Sequence, residues 1–372
     1  MSPQTPSTRP PSPLPTGETP HRDVVALVES PAQLLNVIEW AHARCSTGDG
    51  EPQLSPHRIG AGATVVVLAP AQAAGREQLR AMAGLARSVG FAVVWYDLRG
   101  SAAGRLSCWP GLLGWVRAAR TLVVGDPFSG PIQLLLGAST AREVVVVDDG
   151  SATFELVELL ARGDDLIRWH RGGRAGAVRR RVARTATRRL TPRRKRPVSL
   201  FTAMPVHSPV LPVLPNRLAW TRRSFGPPTV LPGADLIGTS LVESGVIGLS
   251  PYLRAVGGLT RSHGLGRYLA HRRESEEKLR RIADLGLEVV RPELPLEIVA
   301  RTGPIRRTMI SFPSTVVHTL PPLIAEVGAR VLVCEIDRDW FVPAQVDGSS
   351  AGFLSGVSDA ARRAHGLATV GA

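Results

Sequence analysis

The strongest constraint on this chain is a series of short, continuously apolar segments set between helical stretches. Val24–Val28, Thr64–Leu68, Phe91–Tyr96, Leu122–Val124 and Val144–Val147 are apolar at nearly every position. A strand with one solvated face alternates. A strand buried on both faces does not, and such runs belong to parallel sheets covered by helices. The stretches between them carry the helical period. After the first strand, Leu34, Leu35, Ile38 and Ala41 share one face, with Ser30 as N-cap and Pro31 in the first turn. Arg76–Ser88, Ser129–Leu136 and Phe154–Leu160 follow later strands in the same way. The pattern predicts a doubly wound α/β domain over 23–170. A second alternation begins at Val198–Thr202 and resumes, after a Pro-rich loop region, with helix Ser275–Leu285 and strand Leu287–Val290. Strand Met309–Phe312, helix Thr315–Val327 and strand Val331–Cys334 complete it. This predicts a second α/β domain over 198–350 and a helix or tail over 351–372. Two Rossmann-like domains of similar size leave a cleft between them, a common place for a ligand.

A length of 372 residues suits about two domains, and an apolar content of 44% excludes wholesale disorder. Residues 1–22 are polar and Pro-rich with no apolar core, so they read as a disordered tail rather than a secretion signal. Residues 46–62 read as loop. No apolar run approaches the ~20 residues of a membrane span. Cys45, Cys108 and Cys334 are too widely spaced for a disulfide framework or a Cys-rich zinc site, and a reducing, cytoplasmic setting fits them.

Charge is concentrated in one place. Residues 171–196 hold 11 Arg, one Lys and no acid, so +12 of the net +14 lies there. The stretch 171–197 reads as a linker between the domains, with three readings open. It is a solvated connection, a peripheral contact with an anionic membrane near a lipid-linked acceptor, or a grip on a polyanionic glycan. Val178, Val182, Ala186 and Leu190 give it only a thin apolar stripe. Aromatic residues total 5% and none interleave with the basic run, so specific nucleic-acid binding is not expected.

Three places could carry chemistry. Asp148-Asp149-Gly150 closes the apolar strand Val144–Val147, where open α/β sheets bind ligands, and adjacent carboxylates raise one another's pKa. The same triplet also makes an ordinary turn, with Asp149 as a helix cap. His271, followed by Arg272 and Arg273, stands just ahead of the helix at Ser275, where cations and a helix start suit a phosphate. A solvated, charged helix start has the same composition. Ser314 and Thr315 follow the strand Met309–Phe312 at a helix start, as a phosphate cradle or as plain caps. No glycine-rich dinucleotide fingerprint or P-loop is present, which disfavours NAD and ATP chemistry.

Val28-Glu29-Ser30-Pro31-x-Gln33-Leu-Leu-Asn36-x-Ile-Glu39 resembles the opening signature of bacterial sialyltransferase and polysialyltransferase-like proteins. Gly125-Asp126-Pro-Phe-Ser129-Gly130-x-Ile-Gln133 resembles the segment preceding their acidic motif. The order acidic motif, histidine motif, Ser/Thr motif is kept as Asp148–Gly150, His271 and Ser314–Thr315. The resemblance, of the glycosyltransferase family 52 type, spans roughly residues 24 to 343. It implies a GT-B-type glycosyltransferase of two Rossmann-like domains, inverting and metal-independent, with no cofactor. The implied donor is CMP-sialic acid or a related CMP-nonulosonate, and the implied acceptor is a glycan hydroxyl, as in a cell-surface polysaccharide.

By this resemblance Asp148 is the base, with Asp149 and Gly150 in support. His271 gives a proton or a strong hydrogen bond to the departing phosphate, and Arg272, Ser314 and Thr315 hold it. Ser30, Gln33, Ser129 and Gln133 are the further candidates for substrate contact. One departure stands out: Arg272 occupies the place of the family's proline, adding charge where the family has rigidity. Three alternatives stay open: a GT-B transferase using another nucleotide sugar, a nucleotide-sugar epimerase, and an inactive glycan-binding relative.

Overall fold

The structure, a computed structural model, describes residues 20–45, 59–99, 101–150, 152–168, 176–342 and 349–371. The tail expected over 1–22 lies almost wholly outside the described residues, as does most of the loop expected over 46–62.

The first sheet contains β1 (Val24–Val28), β2 (Ala63–Leu68), β3 (Ala92–Tyr96), β4 (Thr121–Val124), β5 (Glu143–Val147), β6 (Val198–Thr202) and β7 (Val213–Pro215). All neighbours are parallel, in the order β3-β2-β1-β4-β5-β6-β7. Helices α1 (Pro31–Cys45) and α2 (Ala73–Ser88) cover one face. The other face is covered by α3 (Ala102–Ala118), α4 (Gly130–Ala138), α5 (Ala152–Arg162) and α6 (Ala177–Leu190). Burial on both faces explains why β2 and β5 show no polar alternation.

The short helix α7 (Ala219–Ser224) leads into the second sheet. That sheet contains β8 (Val230–Ile237), β9 (Leu265–Leu269), β10 (Glu288–Val290), β11 (Ile305–Ser311), β12 (Arg330–Cys334) and β13 (Ala368–Val370). It too is parallel, in the order β10-β9-β8-β11-β12-β13. Helices α8 (Leu249–His263), α9 (Glu276–Ala283) and α12 (Ser349–His365) pack on one face. Helices α10 (Leu296–Thr302) and α11 (Val316–Ile324) pack on the other. Two doubly wound, Rossmann-like parallel domains facing a shared cleft form the GT-B-type arrangement expected from the sequence.

The boundaries expected at 170 and 198 need correction. Val198–Thr202 pairs with β5 in register Val144↔Val198 to Val147↔Phe201, so it extends the first sheet instead of opening the second. The first domain therefore runs through β7, and the chain crosses at α7. Nor is the described part of 171–197 a linker. Ala183, Ala186 and Leu190 are fully buried, and the helix they sit on packs against α4. The Thr185 methyl comes close to Gly137, where a side chain would crowd it, and Arg189 Nε donates to the Leu136 carbonyl at 3.2 Å. Small residues, not a wide apolar stripe, seat this helix. The end of the chain is helix α12 followed by the edge strand β13.

The domains are tied near the crossing. The buried Glu39 carboxylate accepts from the Trp220 and Thr221 N–H groups at 2.9 and 2.8 Å and from the Thr221 hydroxyl at 2.7 Å. Arg301 of α10 donates to the Phe225 carbonyl at 3.0 Å and to the Leu323 carbonyl at 2.9 Å. Gln78 of α2 reaches across to the Pro292 carbonyl.

A second contact is apolar and contains a misplaced polar ring. His318, 1% exposed, lies between Phe154 of the first domain and His365, with ring centroids 6.1 and 5.8 Å away. Among the described residues neither of its ring nitrogens has a hydrogen-bond partner. Burial, aided by the neighbouring His365, pushes its pKa down to about 4 from 6.5. As pH falls from 6.5 towards 4, the unfolded chain takes up a proton that the native ring refuses. Stability is lost across that window, by about 3 kcal/mol once it is passed. Substituting His318→Phe is expected to flatten the fall in melting temperature over the same range. An unchanged slope would place the acid sensitivity elsewhere.

Candidate active site

In a doubly wound sheet, ligands bind at the carboxyl ends of the strands, beside the point where strand order reverses. That point lies between β1 and β4 in the first sheet and between β8 and β11 in the second. The loops following β1 and β5 face those following β8, β9 and β11 across a cleft of about 480 Å³. Ser30, Asp148, Asp149 and Gly150 line one wall, and His271, Arg272, Ser314 and Thr315 the other. The three motifs of the sequence thus meet in one place. Gly150 has φ +74°, and a Cβ there would overlap the Thr315 hydroxyl. Only glycine lets the acidic turn approach the Ser/Thr helix start so closely.

The two adjacent aspartates have different surroundings. Asp148 is buried, and both its oxygens are fully used. Its Oδ1 accepts from the Thr153 hydroxyl at 2.6 Å and the Gly150 N–H at 2.9 Å. Its Oδ2 accepts from the Thr202 hydroxyl at 2.8 Å and the Ala203 N–H at 3.3 Å. Burial pushes its pKa up while these four bonds pull it down. No lone pair is left for an incoming hydroxyl, so Asp148 is a brace between β5 and β6. The geometry therefore runs against the base role expected for it.

Asp149 faces the cleft. Gln33 Nε2 donates to its Oδ1 at 2.7 Å, and Arg168 Nη2 lies 3.7 Å from its Oδ2. Burial and the nearby Asp126 charge push its pKa up to about 7, against the pull of Gln33, Arg168 and Arg272. A partly solvated carboxyl titrating near neutrality is suited to accept a proton.

The support for this pair comes from α1. Gln33 and Asn36, three apart, sit on one face of the helix. Gln33 holds the Asp149 side chain and accepts from the Glu29 N–H at 2.7 Å, while Asn36 Nδ2 donates to the Asp148 carbonyl at 2.9 Å. A Cβ on Gly125 would overlap the Gln33 amide, which accounts for that glycine. Ser30 caps α1, its hydroxyl accepting from the Gln33 N–H at 3.2 Å, and also lines the cleft.

Two other expected contact residues lie elsewhere. Ser129 hydrogen-bonds the Glu29 carboxyl, whose pKa burial raises to about 7. Gln133 is wholly buried, donating to the Pro127 and Leu166 carbonyls at 2.8 Å each and accepting from Arg179. It fastens α4 and α6 and has no route to a substrate, which corrects its expected role. Sequence reasoning missed Arg168, which also meets Asp126 at 3.2 Å, and gave no role to Asn36. Polar residues spaced i, i+3 on an otherwise apolar helix face were the available signal for Gln33 and Asn36. Arg168 offered none.

On the opposite wall His271 follows β9. Its Nδ1 accepts from the Arg273 N–H at 3.2 Å, which leaves the proton of the neutral ring on Nε2. Burial, then the charges of Arg272, Arg273 and Lys278, push its pKa down to about 3. It is therefore a hydrogen-bond donor at neutral pH, not an imidazolium. The positive charge comes from Arg272, which feels both Asp149 and Glu297 and extends towards Gly75 of α2. Ser314 Oγ lies 3.3 Å from Ser311 Oγ, and Thr315 precedes α11, where the Val317 and His318 N–H groups donate to the Ser314 and Thr315 carbonyls at 3.4 and 2.9 Å. Among the described residues no three His, Cys, Asp or Glu side chains are grouped so as to hold a metal ion.

No family model matches the chain, and no curated protein sequence matches it. Among solved structures, the chain is similar to an α/β-galactoside α-2,3-sialyltransferase from Photobacterium phosphoreum, with TM-score 0.49 and 9% identity over 95% of this chain and 99% of that one. It is also similar to MurG from Acinetobacter baumannii, with TM-score 0.37 and 11% identity over 94% and 86% of the two chains. A third is E. coli heptosyltransferase WaaC, with TM-score 0.37 and 12% identity over 91% and 99%. Likenesses this distant carry no information about chemistry, which has to be read from the side chains.

Proposed function

We propose that the cleft is the active site of an inverting glycosyltransferase that moves a nonulosonic acid, such as sialic acid, from a CMP-activated donor to a glycan hydroxyl. One observation carries the reading. A cleft-facing carboxyl with a pKa of about 7, Asp149, stands opposite a neutral histidine, a half-buried arginine and a Ser-Thr helix start. Those are the parts a metal-independent displacement at an anomeric carbon requires. The choice of CMP and of the nine-carbon sugar follows from the motif order described above.

In this mechanism the acceptor oxygen attacks the anomeric carbon as its proton passes to Asp149. The bond from that carbon to the phosphate oxygen breaks, its electron pair leaving with CMP. His271 donates its Nε2–H to the departing phosphate. Arg272 supplies the charge compensation that a neutral histidine cannot, and Ser314 and Thr315 add hydrogen bonds at the helix start. Asp148 braces the turn that presents Asp149, and Gln33 sets its orientation.

The test is release of CMP from CMP-sialic acid, with and without a glycan acceptor mixture and in the presence of chelator, beside competition by CMP, UDP and GDP. Release that resists chelation, with CMP the tightest competitor, is the expected result. Preference for UDP or GDP would assign the same cleft to a different nucleotide sugar.

A further inference from the structure

The helices α3, α4 and α6 lie side by side over one face of the first sheet and share its core. None of the three contains an Asp or Glu, although the chain has 31 acidic residues in all. On α6, Arg180, Arg181, Arg184 and Arg188 fall on one exposed stripe at helical spacing. Arg184 pairs with Asp165 at 3.5 Å, while Arg180, Arg181 and Arg188 have no acidic partner among the described residues. Arg193, Arg194 and Lys195 continue the exposed charge beyond the helix. Three of the exposed large apolar side chains stand on the same helical layer: Leu106 on α3 (71%), Leu134 on α4 (46%) and Val178 on α6 (80%).

We infer that this basic outer face of α3, α4 and α6 docks on an anionic lipid surface. Charge alone would suit any polyanion. The exposed Leu and Val side chains decide the partner, because a glycan or nucleic-acid chain gives them nothing to enter, whereas a bilayer interface receives apolar tips beside arginines. The face lies on the flank of the sheet, and the cleft opens at the strand ends, so a docked molecule keeps its cleft accessible. No helix of the described residues is long and apolar enough to cross a membrane, and the contact is peripheral. The inference is independent of the donor proposed above.

The test is flotation of the full chain with phosphatidylcholine vesicles, with and without phosphatidylglycerol, at low and high salt. Two variants, Arg180→Gln/Arg181→Gln/Arg188→Gln and Leu134→Ser/Val178→Ser, are run beside it after thermal melts establish that both fold. Flotation is expected only with phosphatidylglycerol and should fall steeply with salt. Each arginine lost should weaken partitioning about fivefold, so the triple variant loses about a hundredfold. The apolar variant should lose about tenfold with its charge intact. No flotation on anionic vesicles, or flotation indifferent to the arginines, overturns the inference. So does flotation indifferent to Leu134 and Val178 when heparin captures the native chain and the apolar variant equally and the arginine variant less, which would mark a general polyanion surface. Release of CMP in solution should be unchanged in both variants, so failure of the proposed chemistry is read separately.

Discussion

Asp149→Asn is expected to lower the rate of transfer by about two to four orders of magnitude while leaving nucleotide affinity within a small factor. The substitution keeps the shape and the contact with Gln33 but removes the proton acceptor. It should not destabilise the fold. With its pKa raised from 3.8 to about 7, ionising Asp149 works against folding from 3.8 upward, and that cost is complete above about 7. The Asn variant should therefore melt no lower than the native chain above neutrality. Activity of the native enzyme should climb with pH and level off near 7, where the carboxyl is ionised. Asp148→Asn tests the opposite assignment. An amide nitrogen would face the Thr202 hydroxyl and the Ala203 N–H, both of which donate to Asp148 in the native turn. Its expected signature is a fall in stability of about 1–3 kcal/mol, with activity lost through the distorted turn. Full stability in Asp148→Asn together with an abolished rate, beside an active Asp149→Asn, would return the base role to Asp148.

The contrast shows where sequence reading stopped. Val144–Val147 followed by two acids marked a strand end at a ligand crevice, and the site lies there. Which carboxylate is free depends on Thr202, which is 54 positions away in sequence and donates from the neighbouring strand. No local pattern announces that. Burial on both faces made β1, β2, β4 and β5 legible, because apolar side chains were required at every position. Helix α3 was not legible: Gly104, Gly111, Gly114 and Pro110 interrupt it, and its apolar residues do not segregate to one side. β8 was hidden by Pro232, by Gly233 at φ +101° and by the charged Asp235, which break up its apolar run. In α6 the arginines dominate composition, while the residues that seat the helix are Ala183, Ala186 and Leu190, too small and too few to register as a core face. The motif residues His271, Ser314 and Thr315 came together as the two-domain pattern required. Arg168 and Lys278 did not stand out, since each acts through partners brought near only by the fold.

Lys278→Met is expected to cost about 3–5 kcal/mol in urea or thermal unfolding, an effect of the size seen when one partner of a buried charge cluster is removed. Lys278 has no exposed surface. Its Nζ donates to the Thr239 carbonyl at 2.6 Å, stands 3.5 Å from both the Glu243 and Glu274 carboxylates, and lies 4.2 Å from the Tyr252 ring centroid. Glu274 in turn accepts from the Tyr268 hydroxyl at 2.7 Å and from the His271 N–H at 2.9 Å, while the Tyr252 and Tyr268 hydroxyls meet at 2.6 Å. Burial already raises the Glu274 pKa to about 7, and Lys278 is the largest influence pulling it down. Without the ammonium the carboxyl shifts further towards its neutral form, and its hold on the His271 backbone weakens. Lys278→Met should therefore reduce nucleotide affinity even at temperatures where the protein remains folded. The exposed pair Arg281–Glu277, on the same helix at 2.8 Å, is the control. Arg281→Met should cost no more than about 0.5 kcal/mol, because solvent screens that pair. Adding Glu274→Gln to Lys278→Met removes the stranded charge, and the double variant should recover part of the loss as a coupling energy between the two sites. Equal, small costs for Lys278→Met and Arg281→Met would show that the buried ammonium neither braces the second domain nor fixes the histidine loop.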